Sequence, residues 1–250
     1  MKDPAQTIRA AKEGFEHSFA EGTFYDRQTK NTDHLSQILR FLPLRRGMRI
    51  LDLGTGTGFL AFPIAREHPD ITVTGLDIVE QALDANRAAA EKDGLRNLQF
   101  VSYDGSVFPF ADGSFDLVLS RYALHHFPEI RRSIAEVSRV LSHGGCFFLS
   151  DPAPNDNDTA RFVDRFMQMK PDGHIRFYTK DDWQTVCEAC GLHRTDFFDS
   201  SIRFPRKKTP EYDALLAQSD RSVLESYAVE VKGDEIYITE QVNNILFTKY

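Results

Sequence analysis

Cysteine is scarce in this sequence: three residues in 250, an odd and sparse set that excludes a disulfide framework as the basis of stability. Long apolar runs are missing as well, and none approaches the roughly 20 residues that span a bilayer. Lys2, Asp3, Arg9, Lys12, Glu13 and Glu16 interrupt the first twenty positions, so no signal-peptide core is expected there. A basic excess is also lacking. Lys plus Arg number 30 against 37 Asp plus Glu, a net charge of −7, which argues against a dedicated nucleic-acid binder that must neutralise phosphates. A short basic cluster occupies residues 203–208. No internal repeat and no low-complexity tract is present. These absences lead to the expectation of a soluble, cytoplasmic chain with no nucleic-acid partner and no membrane span.

What is present is ordinary globular material, 41% apolar and 27% charged, enough for a sizeable core. The length fits one large α/β domain or two small ones. In the middle of the chain, short β-type runs alternate with longer helical patterns, which reads as an open, mostly parallel sheet with helices on both faces. Strands are expected at 48–53, 71–76, 98–103, 115–120 and 146–150, and helices at 58–67, 80–92 and 128–141. The flanks break this rhythm. Residues 1–40 read as helical, 152–178 as irregular around a short helix at 159–169, and 180–190 as a helix stopped by Gly191. The tail offers a strand at 192–198, a helix at 210–226 and two β runs, 235–239 and 244–248, with a hairpin turn at Lys232-Gly233-Asp234.

The most informative segment is Leu51-Asp52-Leu53-Gly54-Thr55-Gly56-Thr57-Gly58, lying between a strand and a helix. Glycine permits positive φ and close approach of the backbone to a ligand, and the helix N-terminus offers unpaired N–H groups. A nucleotide-type ligand is therefore expected at the carboxyl ends of the strands. Asp77 closes the second strand, 19 positions after Gly58 (77 − 58), where a carboxylate can accept both hydroxyls of a ribose. A dinucleotide fingerprint starting at Gly54 needs glycine at 59, where this chain has Phe59. That disfavours a nicotinamide-dependent oxidoreductase.

The pattern D-x-G-x-G-x-G at 52–58 resembles the first motif of class I S-adenosylmethionine-dependent methyltransferases. Other segments agree in order: Asp77, then Tyr103-Asp104-Gly105 followed by Phe108-Pro109-Phe110, then Phe115-Asp116-Leu117-Val118, then Arg139-Val140-Leu141 with Gly144-Gly145. The resemblance covers about 45–152 well and the flanks loosely. It implies a Rossmann-like sheet of seven strands in the order 3-2-1-4-5-7-6, the last strand antiparallel. It also implies one methyltransferase domain over 1–250, with a helical lid at 1–45, a cofactor-binding core at 46–152, and a substrate-side insertion plus C-terminal strands at 153–250. S-adenosylmethionine becomes the implied cofactor, and S-adenosylhomocysteine the product.

The site residues follow from that resemblance. Gly54, Gly56 and Gly58, with Thr55, let the chain pass under the methionine part of the cofactor, and Asp52 holds its ammonium group, directly or through water. Asp77 and Ile78 take the ribose end. Asp104 and Gly105 take the adenine, although Asp-Gly is also a common turn dipeptide. Arg121 lies against the cofactor pocket or forms a surface ion pair, and Tyr25 joins the cofactor set from the N-terminal helices. Phe15, Phe19, Phe24 and Tyr25 form either a lid or a plain docking face.

For the acceptor, the run Ala123-Leu124-His125-His126-Phe127 resembles the branch acting on small molecules, including quinone-precursor rings; the Asn/Asp-Pro-Pro-aromatic motif of nucleobase amino methylation is absent. His126 and His174 are candidate bases, and Arg176 and Tyr122 candidate substrate contacts. In an extended segment His174 and Arg176 share a face, with Arg176 holding an anionic group and His174 taking a proton; alternatively both order the loop. Asp151, ending the fifth strand, faces the same edge. Cys187-x-x-Cys190 has no second pair and is read as buried apolar packing rather than a zinc site. Methyl transfer to a small molecule is the leading reading; a cofactor-binding regulatory module without turnover is the alternative.

Overall fold

A computed structural model of the chain describes residues 4–20, 31–170 and 172–250. Strands β1 (Arg49–Leu53), β2 (Thr72–Asp77), β3 (Leu98–Ser102), β4 (Phe115–Arg121) and β5 (Leu141–Ala153) run parallel in the order β3-β2-β1-β4-β5. Helices α3 (Ala61–Glu67), α4 (Glu80–Lys92) and α5 (Ile130–Val140) lie between them in sequence. The central strands are apolar nearly throughout because both faces of a parallel sheet are covered. Successive residues therefore enter opposite layers. Leu117 and Leu119 pack in one layer with Ile38 of α2 (Thr32–Phe41), Ile64 of α3 and Leu83 of α4. Val118 packs in the other with Ile134 and Val137 of α5 and Trp183 of α7 (Lys180–Glu188). Each large side chain so buried contributes roughly 1.5–3 kcal/mol.

Beyond β5 the sheet reverses. Strand β8 (Glu235–Lys249) lies antiparallel between β5 and β6 (Leu192–Lys207), and the short β7 (Glu230–Lys232) pairs with the start of β8. The path β3-β2-β1-β4-β5-β8-β6 is the expected order for seven long strands. The additional β7 comes from the hairpin at Lys232-Gly233-Asp234, where Gly233 has φ +62°.

Three expectations are revised. The two β runs of the tail are one strand, because Glu240, Asn243 and Asn244, which break the apolar pattern, are buried polar residues within it. Strand β6 continues through the basic cluster to Lys207. The helix expected over 210–226 is two, α8 (Pro210–Gln218) and α9 (Arg221–Ser226). Ser219 is extended (ψ 148°), and the Asp220 carboxylate accepts from the Ser222 N–H as the cap of α9.

A third apolar cluster covers the β6–β8 end, joining Phe162 and Phe166 of α6 (Phe162–Met167) to Phe204, Leu215, Val223 and Ile238. At the other end of the site, α1 (Pro4–Ala20) sets Ile8 against Gly105 and Phe15 edge-on to His126 at 4.8 Å. Phe24 and Tyr25 lie outside the described residues. Among those residues, no helix is long and apolar enough to cross a membrane.

Candidate functional site

Strand β1 ends in the glycine turn, and the turn opens one side of a large cavity. Gly54 sits at φ +69° with its N–H donated to the Leu76 carbonyl at 2.8 Å. A Cβ there would fall 2.5 Å from Cβ of Ala123, so only glycine lets β1 and the segment after β4 approach. The cavity encloses about 1290 Å³ of empty space, counted to its open mouth, and runs continuously from Gly54, Gly56, Asp77 and Ile78 to Tyr122, His126, Phe204 and Glu240.

In the first half, Asp77 lines the wall at the end of β2. Its Oδ2 accepts the Gly56 N–H at 2.8 Å and its Oδ1 the Val79 N–H at 3.0 Å. The Ile78 N–H also acts on this carboxylate, and of its roughly four acceptor positions at least one remains for a ligand. Burial pushes the Asp77 pKa upward, opposed by the Gly56 and Val79 N–H groups. Ile78, Tyr103 and Gly105 complete this half, with Ile8 and Phe15 of α1 beside them.

Several residues implied by the resemblance stand behind that wall. Asp52 is buried and accepts a 2.8 Å hydrogen bond from the Thr55 hydroxyl; burial lifts its pKa to about 6 against Thr55 and the Arg121 charge. Neither Asp52, Thr55 nor Gly58 lines the cavity. Arg121 does not line it either, nor is it at the surface. The guanidinium is buried between the rings of Phe59 and Tyr122, 4.0 and 3.9 Å from their centroids. Asp104 is exposed, its Oδ1 accepting the Ser106 N–H at 2.8 Å in a turn, while its neighbours Tyr103 and Gly105 face the cavity.

The second half gathers residues from distant segments. Tyr122, at φ 53°, keeps its proton, its pKa pushed up to about 12 by burial. His125 and His126 both line the wall. The Nδ1 of His125 is 2.8 Å from Oδ1 of Asp151; burial drives His125 down and Asp151 up to about 8, which holds the pair at low net charge. Burial and the neighbouring His125 push His126 down to about 3, and its Nδ1 has no partner among the described residues. It is a neutral imidazole in contact with the cavity.

The His174–Arg176 expectation is corrected. The His174 side chain is fully buried, its Nε2 2.9 Å from Oδ1 of Asp164, whereas that of Arg176 is 46% exposed, beside Asp182 at 3.2 Å and over the Tyr178 ring. The two therefore do not share a face, and neither lines the cavity. Backbone pairing explains this, since the Ile175 and Arg176 N–H groups both reach the His125 carbonyl and bend the segment. Cys187 is buried in the core, its thiol pushed up by that burial, and Asp182 closes a capping box with Thr179 at the start of α7.

Four polar lining residues were not singled out as site residues from the sequence: Lys170, Asp172, Arg206 and Glu240. Lys170 pairs with Asp172 at 3.2 Å. For Glu240 a signal did exist, because it interrupts the alternation Ile236, Ile238, Glu240, Val242 on the inward face of one strand.

Comparison with known proteins agrees with this geometry. Residues 44–195 match the methyltransferase domain family. The uncharacterised methyltransferase YcgJ of Bacillus subtilis is 32% identical over 72% of this chain and 67% of its own length. Its crystal structure superposes with a TM-score of 0.76 at 22% identity, covering 88% of this chain and 99% of that one. The 27-O-demethylrifamycin SV methyltransferase of Amycolatopsis mediterranei is 35% identical, over 68% of this chain and 62% of the relative. The ubiquinone/menaquinone biosynthesis C-methyltransferase UbiE of Dinoroseobacter shibae is 30% identical, over 61% and 62%. The chain thus spans about two thirds of the length of these curated relatives. With the glycine turn, the Asp77 carboxylate and the sheet order all in place, the chain belongs to the methyltransferase domain family, as a class I, S-adenosylmethionine-dependent methyltransferase.

Proposed function

We propose that this chain methylates a small molecule held in the second half of the cavity, with S-adenosylmethionine in the first. The observation that carries the reading is continuity: one cavity joins Gly54, Gly56 and Asp77 to Tyr122, His125 and His126 without an intervening wall. The residues present suit the cofactor. Asp77 keeps acceptor capacity for a ribose beyond its backbone bonds, and the glycine turn presents backbone rather than side chain. Ile78, Tyr103 and Gly105 offer a mostly apolar slot to an adenine, with Asp104 at its rim. Asp52 acts through Thr55 and the turn, supplying negative charge beneath a cationic group. Helix α1 closes over this half through Ile8 and Phe15, in keeping with a lid spanning the N-terminal residues.

S-adenosylmethionine, when bound, supplies a methyl group already activated on a sulfonium. What remains for the protein is to align the acceptor, exclude water and receive a proton. His126 takes that last role in place of His174. A proton on a freshly methylated oxygen or ring carbon is a strong acid, so an imidazole held near 3 is basic enough to capture it at Nδ1. The His125–Asp151 pair keeps the neighbouring ring fixed. Calorimetry with S-adenosylhomocysteine and with NAD tests the reading: S-adenosylhomocysteine binds and NAD does not. NAD binding alone would reverse it.

A further inference from the structure

The second half of the cavity has a wall whose composition points to the acceptor's chemistry. Two antiparallel strands form it. Ile236, Ile238, Glu240 and Val242 of β8 face the same way, and in register with them stand Arg206 opposite Ile236, Phe204 opposite Ile238 and Ile202 opposite Glu240. In this aliphatic and aromatic surface Glu240 is 2% exposed, lines the cavity, and has an Oε1 with no hydrogen-bond partner among the described residues. A buried carboxyl without a partner is costly and calls for a ligand or a proton. The charged groups facing it are Arg206 from β6, Asp151 from β5, Asp164 from α6 and Asp172 from the segment after it. Burial, supported by the three aspartates and opposed by Arg206, raises Glu240 to about 8, so near neutral pH it carries a proton. Lys170 and Asp172 pair with each other at 3.2 Å, so this pair offers neither an ammonium nor a carboxylate an unpaired counter-ion.

We infer that the acceptor is an uncharged, largely apolar ring compound whose ketone or hydroxyl oxygen is held by the Glu240 carboxyl, with its body against Phe177, Ile202 and Phe204. The assignment rests on the second half of the cavity being the methyl-acceptor site. Protonated Glu240 donates to either kind of oxygen. An ammonium in the same place gains an ion pair with Glu240 only by ionising it, which its burial opposes. Glu240 is thus a specificity residue at the far wall rather than a participant in the transfer.

The test uses the full chain saturated with S-adenosylhomocysteine and three probes of similar shape, observed by ligand NMR: 4-methylacetophenone, 4-ethyltoluene and 4-methylbenzylammonium. The ketone should bind about fivefold tighter than the hydrocarbon, the yield of one hydrogen bond to a buried donor, and the ammonium weakest of the three. Glu240→Leu should abolish the ketone's advantage. Glu240→Gln, whose amide still donates, should keep it within about twofold. Raising the pH through about 8 should weaken ketone binding in the native chain, as the acid loses the proton it donates, and leave Glu240→Gln unaffected. A ketone preference that survives Glu240→Leu, a flat pH response in the native chain, or tightest binding of the ammonium probe would overturn the assignment. If the Leu variant does not fold, the Gln variant and the pH series decide it. Failure of the native chain to bind S-adenosylhomocysteine would overturn the methyl-transfer reading and this inference with it. Normal S-adenosylhomocysteine binding with no Glu240 dependence would overturn this inference alone.

Discussion

The two halves of the cavity are built in opposite ways. The cofactor half comes largely from local structure: Gly54 and Gly56 from one turn, Asp77 and Ile78 from the end of the adjacent parallel strand, and Tyr103 and Gly105 just after the next. The acceptor half draws on β4's exit, α6, the segment after it, β6 and β8, which meet only because β8 inserts antiparallel between β5 and β6. The first half is walled by the backbone of a glycine turn and by the Asp77 carboxylate, which the Gly56 and Val79 N–H groups brace. The second keeps polar atoms in reserve, Nδ1 of His126 and Oε1 of Glu240. One half is thus shaped for a fixed partner, and the other for a partner that completes it.

The largest effect expected from breaking this contrast is on stability, and it lies in the acceptor half. Glu240 has its pKa raised from 4.5 to about 8 in the folded chain, so between those values the folded state binds more protons than the unfolded one. Stability from this group is fully present below pH 4.5 and lost as the pH rises through 8. Glu240→Gln should therefore gain on the native chain across that window, by on the order of 5 kcal/mol at pH 9 relative to pH 4, at about 1.4 kcal/mol for each pH unit between 4.5 and about 8. Denaturant titrations at both pH values check it; a difference independent of pH would count against a buried, protonated Glu240.

Gly54→Val attacks the cofactor half. It forces a β-branched side chain to positive φ and into Ala123, at a cost of about 3 kcal/mol in stability, and the displaced turn should weaken S-adenosylhomocysteine binding by at least about tenfold. Next comes His126→Ala, which should lower methyl transfer by about 100-fold. The rate of the native chain should not fall as the pH drops through 6.5, because burial keeps His126 neutral down to about 3; a fall there would assign the step to another histidine. Arg176→Ala should stay within about twofold of the native rate and affinity, since its exposed ion pair with Asp182 is worth little.

The same contrast decides what could be read from the sequence. The glycine turn, Asp77 and the parallel strand order were legible because each is set by neighbours a few positions away or by an apolar run covered on both faces. The tail was legible only in pieces. Glu240, Asn243 and Asn244 look like the end of a strand until β5 and β6 are known to flank it, and then they are its buried polar residues. His174 and Arg176 were misjudged because periodicity assumes a straight extended segment, whereas the His125 carbonyl bends this one and Asp164 captures the histidine. Arg121 was assigned by position at a strand's carboxyl end, but its guanidinium is used in packing between Phe59 and Tyr122.

The central claim, that the halves divide cofactor binding from acceptor handling, is tested most directly by titrating S-adenosylhomocysteine into Asp77→Ala and His126→Ala side by side. Asp77→Ala removes the proposed ribose acceptor, a charge-assisted bond to it being worth roughly 1.5–3 kcal/mol, and should weaken binding by at least about tenfold. His126→Ala should bind within about twofold of the native chain. Equal losses in the two variants, or a loss confined to His126→Ala, would contradict the division.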